Sequence, residues 1–236
     1  MPVVFPLIIV AVAVVGGLVA YYSYQAKKKR QAAFAALGGQ LGLTYSAEDP
    51  FDTLAEPFAL FRKGEGRGVE NVLAGTWEGL GVRVFDYWYY EESTDSKGNR
   101  SRTYYRFDCV LTSVNVACAQ LTLEPENLLT RLADHLSFHD IEFESEDFNK
   151  MFNVKCDDKK FANDMVDARM IQWMLTLGKT FSFALAGDRA MVACKRLDPT
   201  QLPSLLGVTQ QFIGHFPNVV YDLYPGATPP APRPDR

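Results

Sequence analysis

The sequence has few of the residues from which metal and disulfide sites are built. Its 236 residues include only three histidines and four cysteines, and no two cysteines form a CxxC pair. A chain of this length can bury a sizeable core without covalent cross-links, and the cysteine spacings match no disulfide framework. We therefore expect four half-buried free thiols in a reducing compartment, at Cys109, Cys118, Cys156 and Cys194.

Acidic residues outnumber basic ones outside the first thirty residues. Those residues contain Lys27, Lys28, Lys29 and Arg30 and no acidic side chain, so the rest of the chain holds the other 20 of 24 basic residues against all 28 acidic ones. An acidic domain without a basic stripe binds nucleic acid poorly. We expect no nucleic-acid partner, and the basic cluster lies where lipid headgroups would be.

Catalytic and cofactor motifs are also missing. Gly178-Lys179-Thr180 ends like a phosphate-binding loop, but Trp173 occupies the position of the required first glycine and a strand-like segment follows. His135 and His139 have the spacing of zinc ligands on a helix, yet no glutamate lies between them. The sequence therefore predicts no catalytic, cofactor-binding or metal-binding residues, and no cofactor.

Charge is absent from Met1 to Ala26. Within this stretch, Val3 to Tyr24 would form a helix of about 33 Å, which matches a bilayer core of about 30 Å. A cleavable signal peptide is the alternative, but it would need a basic start and a shorter apolar core. We predict a transmembrane helix over 3–24 and a juxtamembrane basic helix over 25–42, with the lipid bilayer as a partner.

The basic cluster sets the expected orientation, because positively charged loops stay in the cytoplasm. The N-terminus should lie outside a cell membrane that the chain crosses once, and the globular domain should be cytoplasmic. Tyrosines before the cluster match an aromatic belt at the interface. The predicted membrane-interface residues are Tyr21, Tyr22, Tyr24, Lys27, Lys28, Lys29 and Arg30.

Small residues recur four apart in the predicted transmembrane helix, at Ala13/Gly17 and Gly16/Ala20. Such pairs let two helices pack closely and would support a homodimer. Glycine is also common in transmembrane helices generally, so both interpretations stay open.

Residues 43–223 mix strand and helix patterns without regular βαβ alternation, which predicts an α+β domain with a mostly antiparallel sheet and packed helices. The chain from 224 to 236 is rich in proline and predicts a disordered tail. Expected hairpins have their turns at residues 79–81, at Asn115 and at Gly187-Asp188, and expected helices cover residues 125–138, 158–177 and 199–216.

A short sequence pattern that occurs twice suggests two related halves, each a β-hairpin followed by a helix. Val-Ala-Cys occurs at 116–118 and at 192–194, and each copy precedes an acidic residue followed by proline, at Glu124-Pro125 and Asp198-Pro199. Shared helix-capping chemistry explains much of the pattern, so a common origin is one of two interpretations.

Large aromatic side chains occupy both faces of the strand after Val82. Alternation places Phe85, Tyr87 and Tyr89 on one face and Trp88 and Tyr90 on the other. Either helices cover both faces or one face binds a partner. The candidate partner-binding residues are Tyr87, Trp88, Tyr89 and Tyr90, and their acidic neighbours Asp86, Glu91 and Glu92 favour a cationic or polar-rimmed partner over anionic lipid.

Three segments carry a family resemblance: Thr76-Trp77-Glu78-Gly79 with Phe85-Asp86-Tyr87, Glu144 to Val154, and Asp167-Ala168-Arg169-Met170. With these motifs, the region from Phe58 to Phe183 resembles a bacterial family of uncharacterised single-pass membrane-anchored proteins. The resemblance implies a membrane protein of unknown function and assigns no catalytic residue.

Two functions are compatible with these patterns. The first is a membrane-tethered cytoplasmic binding or scaffold module without catalytic activity, acting on an unidentified protein partner. The second is a hydrolase-type enzyme at the membrane surface with an unrecognised site. A shallow aromatic groove would favour the first, and a deep pocket with converging polar side chains would favour the second.

Overall fold

A computed structural model of the protein describes residues 4–125 and 139–226, with side chains given from Ala13 onward. The predicted helix from Pro125 to Phe138 and most of the predicted disordered tail lie outside these residues. Pro125 itself ends a strand.

The described residues form six α-helices and seven strands. The helices are α1 (Val4–Leu41), α2 (Glu146–Met151), α3 (Lys159–Met165), α4 (Ala168–Leu177), α5 (Leu202–Gly214) and α6 (Asn218–Leu223). The strands are β1 (Thr44–Glu48), β2 (Gly66–Trp77), β3 (Leu80–Thr94), β4 (Arg100–Pro125), β5 (His139–Asp140), β6 (Phe152–Cys156) and β7 (Phe181–Lys195). Short 3₁₀ turns occur at Thr53–Ala55, Ala59–Arg62 and Pro199–Gln201.

One sheet contains all seven strands in the order β1-β2-β3-β4-β6-β5, with β7 paired to β4. Every pairing among these strands is antiparallel. The predicted α+β class with a mostly antiparallel sheet is therefore confirmed. The 26-residue β4 organises the sheet, since it pairs with β3, β6 and β7 along different parts of its length.

Two of the three expected hairpins are wrong. Asn115 and Gly187-Asp188 do not reverse the chain, because β4 and β7 each continue through these positions and pair with one another from Phe107↔Lys195 to Leu123↔Phe183. The strands instead contain a bulge, because β4 has more residues between Ser113 and Cys118 than β7 has between their partners, Arg189 and Gly187. The described residues consequently show no pair of hairpin-plus-helix halves.

The bulge explains why the domain extends past the predicted start of the tail. Its backbone groups bind the C-terminal segment, where the Ala117 amide donates to the Tyr224 carbonyl over 2.9 Å. The amide of Gly226 donates back to the Asn115 carbonyl over 3.3 Å, and Val116 bridges to Pro225. Tyr224 to Gly226, predicted as disordered, are therefore held against β4.

The predicted helix over residues 158–177 is two helices. Asp158 caps α3 by accepting from the Lys160 and Phe161 amides, and Asp167 caps α4 by accepting from the Met170 amide. An aspartate whose side chain captures a backbone amide favours a helix start over a helix interior. Capping also explains the start of α2, where the Ser145 side chain accepts from the Phe148 amide.

The core has two parts, one on each side of the sheet. The larger contains the second half of α1, through Phe34 and Leu37, together with the buried faces of α3, α4 and α5. The smaller lies under the short turns after β1, where Phe58 and Phe61 cover Phe85. Burial on both sides explains why the central strands carry apolar residues on both faces.

Helix α1 joins the N-terminal segment to this core without a break. Its last turn approaches the sheet closely at Gly38, where a β-carbon would lie 2.9 Å from Cδ2 of Leu73 on β2. Within the part of the chain whose side chains the structure describes, no helix combines the length and apolarity needed to cross a bilayer. The side chains of the first residues of the predicted span, Val3 to Tyr24, lie outside that part.

Candidate functional site

Two of the four candidate partner-binding residues belong to the core. Tyr87 is 1% exposed and Tyr89 is 3% exposed, and both face the smaller core cluster. The Tyr87 hydroxyl donates to the Leu60 carbonyl over 2.7 Å, and its ring contacts Phe61 with centroids 5.2 Å apart. A binding role for Tyr87 and Tyr89 is therefore wrong, because the turn that ends in Arg62 covers this face.

Trp88 and Tyr90 lie on the opposite face and are partly exposed. Their rings run side by side, with centroids 6.4 Å apart and planes 12° from parallel. Both rest on glycines of β2: an added β-carbon would lie 2.8 Å from the Trp88 ring at Gly68 and 2.3 Å from the Tyr90 ring at Gly66. Glycine at these cross-strand positions lets the rings lie flat on the sheet.

Tyr104 on β4 completes this surface, and two arginines lie over its rings. Tyr104 is 46% exposed and contacts both Trp88 and Tyr90. The Arg102 guanidinium lies 4.6 Å from the Tyr90 ring centroid and that of Arg106 lies 5.4 Å from the Tyr104 centroid. We call Trp88, Tyr90 and Tyr104 the aromatic face.

The aromatic face borders a cluster that fixes α1 to the sheet. Arg30 donates to Asp86 through two nitrogens, over 2.8 and 2.7 Å, and to Asp108 over 2.6 Å. It also donates to the Leu197 carbonyl over 2.8 Å. The Arg30 side chain is only 10% exposed, so its predicted place in the headgroup layer is wrong: its charge is required inside the domain. We call Arg30, Asp86 and Asp108 the Arg30 cluster.

The two carboxyl groups of the Arg30 cluster have pKa values that are shifted in opposite directions. Burial raises the pKa of Asp108 to about 7, and the neighbouring Asp86 adds to this, against the attraction of Arg30. Burial also opposes ionisation of Asp86, but its hydrogen bonds from Arg30 and Asn71 hold its pKa below the usual value. One guanidinium thus neutralises Asp86, and Asp108 retains a proton near neutral pH.

A groove of about 630 Å³ separates the start of the docked part of α1 from the sheet. Ser23, Ala26 and Lys27 line its helix side, while Trp88, Tyr104 and Arg106 line its sheet side. The groove is open, shallow and mixed in polarity. It therefore has the form expected of a surface that holds an amphipathic ligand.

Basic charge dominates around this groove, contrary to the sequence expectation. Asp86 is neutralised by Arg30 and also contacts Arg196 at 3.3 Å, and Glu92 pairs with Arg102 at 2.8 Å. Among the described residues no carboxylate lies within ion-pair distance of Arg106. The acidic neighbours of the aromatic strand therefore do not make this face acidic.

The other predicted membrane-interface residues lie along α1 before Arg30. Tyr21, Tyr22 and Tyr24 are 58%, 68% and 58% exposed. Lys27 pairs with Glu70 on β2 at 2.8 Å, and Lys28 lies over the Tyr24 ring. Lys29 is exposed as well.

The cysteines are more deeply placed than expected. All four are free and buried, and burial raises the thiol pKa to about 12 at Cys118 and Cys194 and to about 11 at Cys156. Within the described ranges, no three histidine, cysteine or acidic side chains are grouped closely enough to hold a metal ion. His135 and the side chain of His139 lie outside these ranges.

Comparison with known proteins identifies a solved structure of similar fold. No family model and no curated protein matches the sequence. A solved structure, the mycobacterial trehalose monomycolate transport factor A, TtfA, superposes with a TM-score of 0.61 at 13% sequence identity. The alignment covers 84% of this chain and 98% of that chain. At this identity the likeness shows that the two proteins share a fold.

Proposed function

We propose that the protein is a single-pass, membrane-anchored and non-catalytic module that takes part in lipid transport, with its domain on the cytoplasmic side. The anchor would be the uncharged segment from Val3 to Tyr24. The basic residues that follow it support the orientation. The resemblance to a bacterial family of single-pass membrane-anchored proteins agrees with this proposal.

The observation that carries the proposal is the attachment of α1 to the sheet. Arg30 binds two carboxylates of adjacent strands, and Phe34 is fully buried one turn later. The helix that leaves the domain towards the proposed membrane is therefore fixed in direction. A groove with an aromatic wall opens beside the point where it leaves, so a lipid at the membrane surface can reach the domain.

The fold likeness suggests which process the module serves. TtfA is named as a transport factor for trehalose monomycolate. The shared fold supports a transport role for this chain and leaves its own cargo undefined. A binding module needs a surface that holds a ligand without bond making or breaking, and the shallow groove fits this requirement.

Depletion of the protein in its own cells tests the proposal. Pulse-labelled lipids should accumulate in the membrane where they are made, and the full chain should restore their export. A chain lacking residues 1–24 should fold, because it keeps Lys27 and Arg30, but it should not restore export. Unchanged lipid distribution on depletion, or full rescue by the shortened chain, would contradict the proposal.

A further inference from the structure

The aromatic face lies at the level of the tyrosines on α1. Arg30 contacts Asp86, so distances along both elements can be measured from that contact. Trp88 and Tyr90 lie roughly 7 and 14 Å beyond Asp86 at about 3.4 Å per strand residue. Tyr24 and Tyr21 lie roughly 9 and 14 Å beyond Arg30 at about 1.5 Å per helix residue.

From this contact, the N-terminal part of α1 and the hairpin end of β3 extend in the same direction. Ser23, on the N-terminal side of Arg30, shares the groove with Trp88 and Tyr104, which lie on the hairpin side of Asp86 and Asp108. If Tyr21 to Tyr24 lie in the membrane interface, the aromatic face is therefore at the same depth. The hairpin formed by β3 and β4 then lies on the membrane side of the domain, beside α1.

The composition of the face suits the headgroup layer. Tryptophan and tyrosine combine an apolar ring with a polar edge, and they concentrate at membrane interfaces for that reason. Arg102 and Arg106 lie over the rings and have exposed side chains. Guanidinium groups bind phosphate oxygens through paired donors. Asp86 is neutralised by Arg30, and Glu92 is neutralised by Arg102 through its Nε alone.

We propose that the aromatic face docks on the headgroup layer of the membrane in which α1 is anchored, with Arg102 and Arg106 binding phosphates of anionic lipids. This inference rests on the proposed anchor and adds a second membrane contact beside it. Docking would hold the groove open towards the bilayer and would place its aromatic wall against lipid. The two contacts together would fix the tilt of the domain.

Fluorescence quenching of the full chain in lipid nanodiscs tests the inference. The discs would contain phosphatidylcholine alone or mixed with phosphatidylglycerol, with bromine on the acyl chains close to the headgroup. Trp88 is one of three tryptophans, so the quenching lost in Trp88→Phe reports its contribution. We expect strong quenching of Trp88 in the phosphatidylglycerol discs and weaker quenching in phosphatidylcholine alone.

Charge variants separate docking from general exposure. Arg102→Gln and Arg106→Gln should each lower the ratio of docked to undocked protein about fivefold, since each cation near an anionic surface contributes about that factor. Their melting temperatures should not change. The matched control is Arg62→Gln with Lys159→Gln, which removes two exposed cations elsewhere and should leave quenching intact.

The outcomes distinguish this inference from the proposed anchor. Failure of the chain to enter nanodiscs would contradict the anchor. Entry without quenching of Trp88 would overturn the docking inference and leave the anchor standing, and it would point to a protein partner for the face. Quenching equal in both lipids and unaffected by the arginine variants would also overturn it.

Discussion

Arg30 is the residue on which the attachment of the helix depends, since its guanidinium contacts both buried side chains, Asp86 and Asp108, and neutralises Asp86. Removing one partner of a buried ion cluster leaves uncompensated charge and typically costs about 3–5 kcal/mol. We expect Arg30→Ala to lower the melting temperature of the detergent-solubilised chain strongly. Lys28→Ala, which alters an exposed side chain two residues earlier, should change it little. Equal melting temperatures for the two variants would contradict this role of Arg30.

The titration of Asp108 should appear in the pH dependence of stability. Its pKa is about 7 in the folded protein and near 3.8 when unfolded, so between these values the folded state holds a proton that the unfolded state has lost. The contribution of Asp108 to the free energy of unfolding is therefore greatest below pH 4 and declines as pH rises towards 7. Asp108→Asn, which cannot ionise, should not show that decline. Parallel melting curves for wild type and Asp108→Asn from pH 4 to 8 would rule out the raised pKa.

Adjacent aromatic residues on β3 should respond differently to truncation. Tyr87 is fully buried, and Tyr87→Ala should cost about 3–5 kcal/mol. Trp88 covers Gly68 at the surface, so Trp88→Ala should cost less than half as much. Urea titration of the two variants measures both costs. A Trp88→Ala cost equal to that of Tyr87→Ala would make Trp88 a core residue and would remove the aromatic face as a ligand surface.

Sequence reasoning could have found the Arg30 cluster but did not. Asp86 and Asp108 each interrupt an aromatic or apolar strand pattern, in Phe85-Asp86-Tyr87 and Phe107-Asp108-Cys109, and a buried carboxylate requires a cationic partner. The partner lies 56 residues before Asp86, in a basic run that resembles a membrane flank. Strand register, which no local pattern gives, brings the two aspartates opposite one another.

At the scale of whole elements, the sequence identified most strands and helices but misjudged where the chain turns. The hairpin of β2 and β3 is confirmed, because a short glycine-containing loop separates two alternating strands, but its turn lies at Glu78-Gly79 and not at residues 79–81. Asn115 and Gly187 give the same local signal but lie in a bulge. Only the pairing of β4 with β7 and the docking of the C-terminal segment distinguish a bulge from a turn there.

Glycine substitutions test whether the bulge requires a left-handed residue at Gly187. Gly187 has φ of +58°, and an alanine there would adopt a left-handed conformation that costs about 1–2 kcal/mol. Gly207 lies within α5 with open space around it, where alanine should stabilise by roughly 0.5–1 kcal/mol. Thermal unfolding should therefore move in opposite directions for Gly187→Ala and Gly207→Ala. A neutral or stabilising Gly187→Ala would show that β7 does not need the left-handed residue.

At the scale of the whole molecule, the N-terminal helix is fixed in direction relative to the domain that follows it. The larger core cluster includes the last part of α1, so the helix is a component of the fold as well as a proposed anchor. A truncation that removes Arg30 would therefore test stability and anchoring at once. Removal of residues 1–24 alone separates the two.

Labelling of one introduced thiol tests the central claim, an anchored domain on the cytoplasmic side, most directly. Ser113 is exposed on β4, on the side of Asp108 away from the β3–β4 hairpin. All four native cysteines are buried, so Ser113→Cys gives a single accessible site. A membrane-impermeant maleimide should leave this variant unlabelled in intact cells and label it fully in inverted membrane vesicles. Labelling in intact cells, or recovery of the unlabelled protein in the soluble fraction after carbonate washing, would contradict the account.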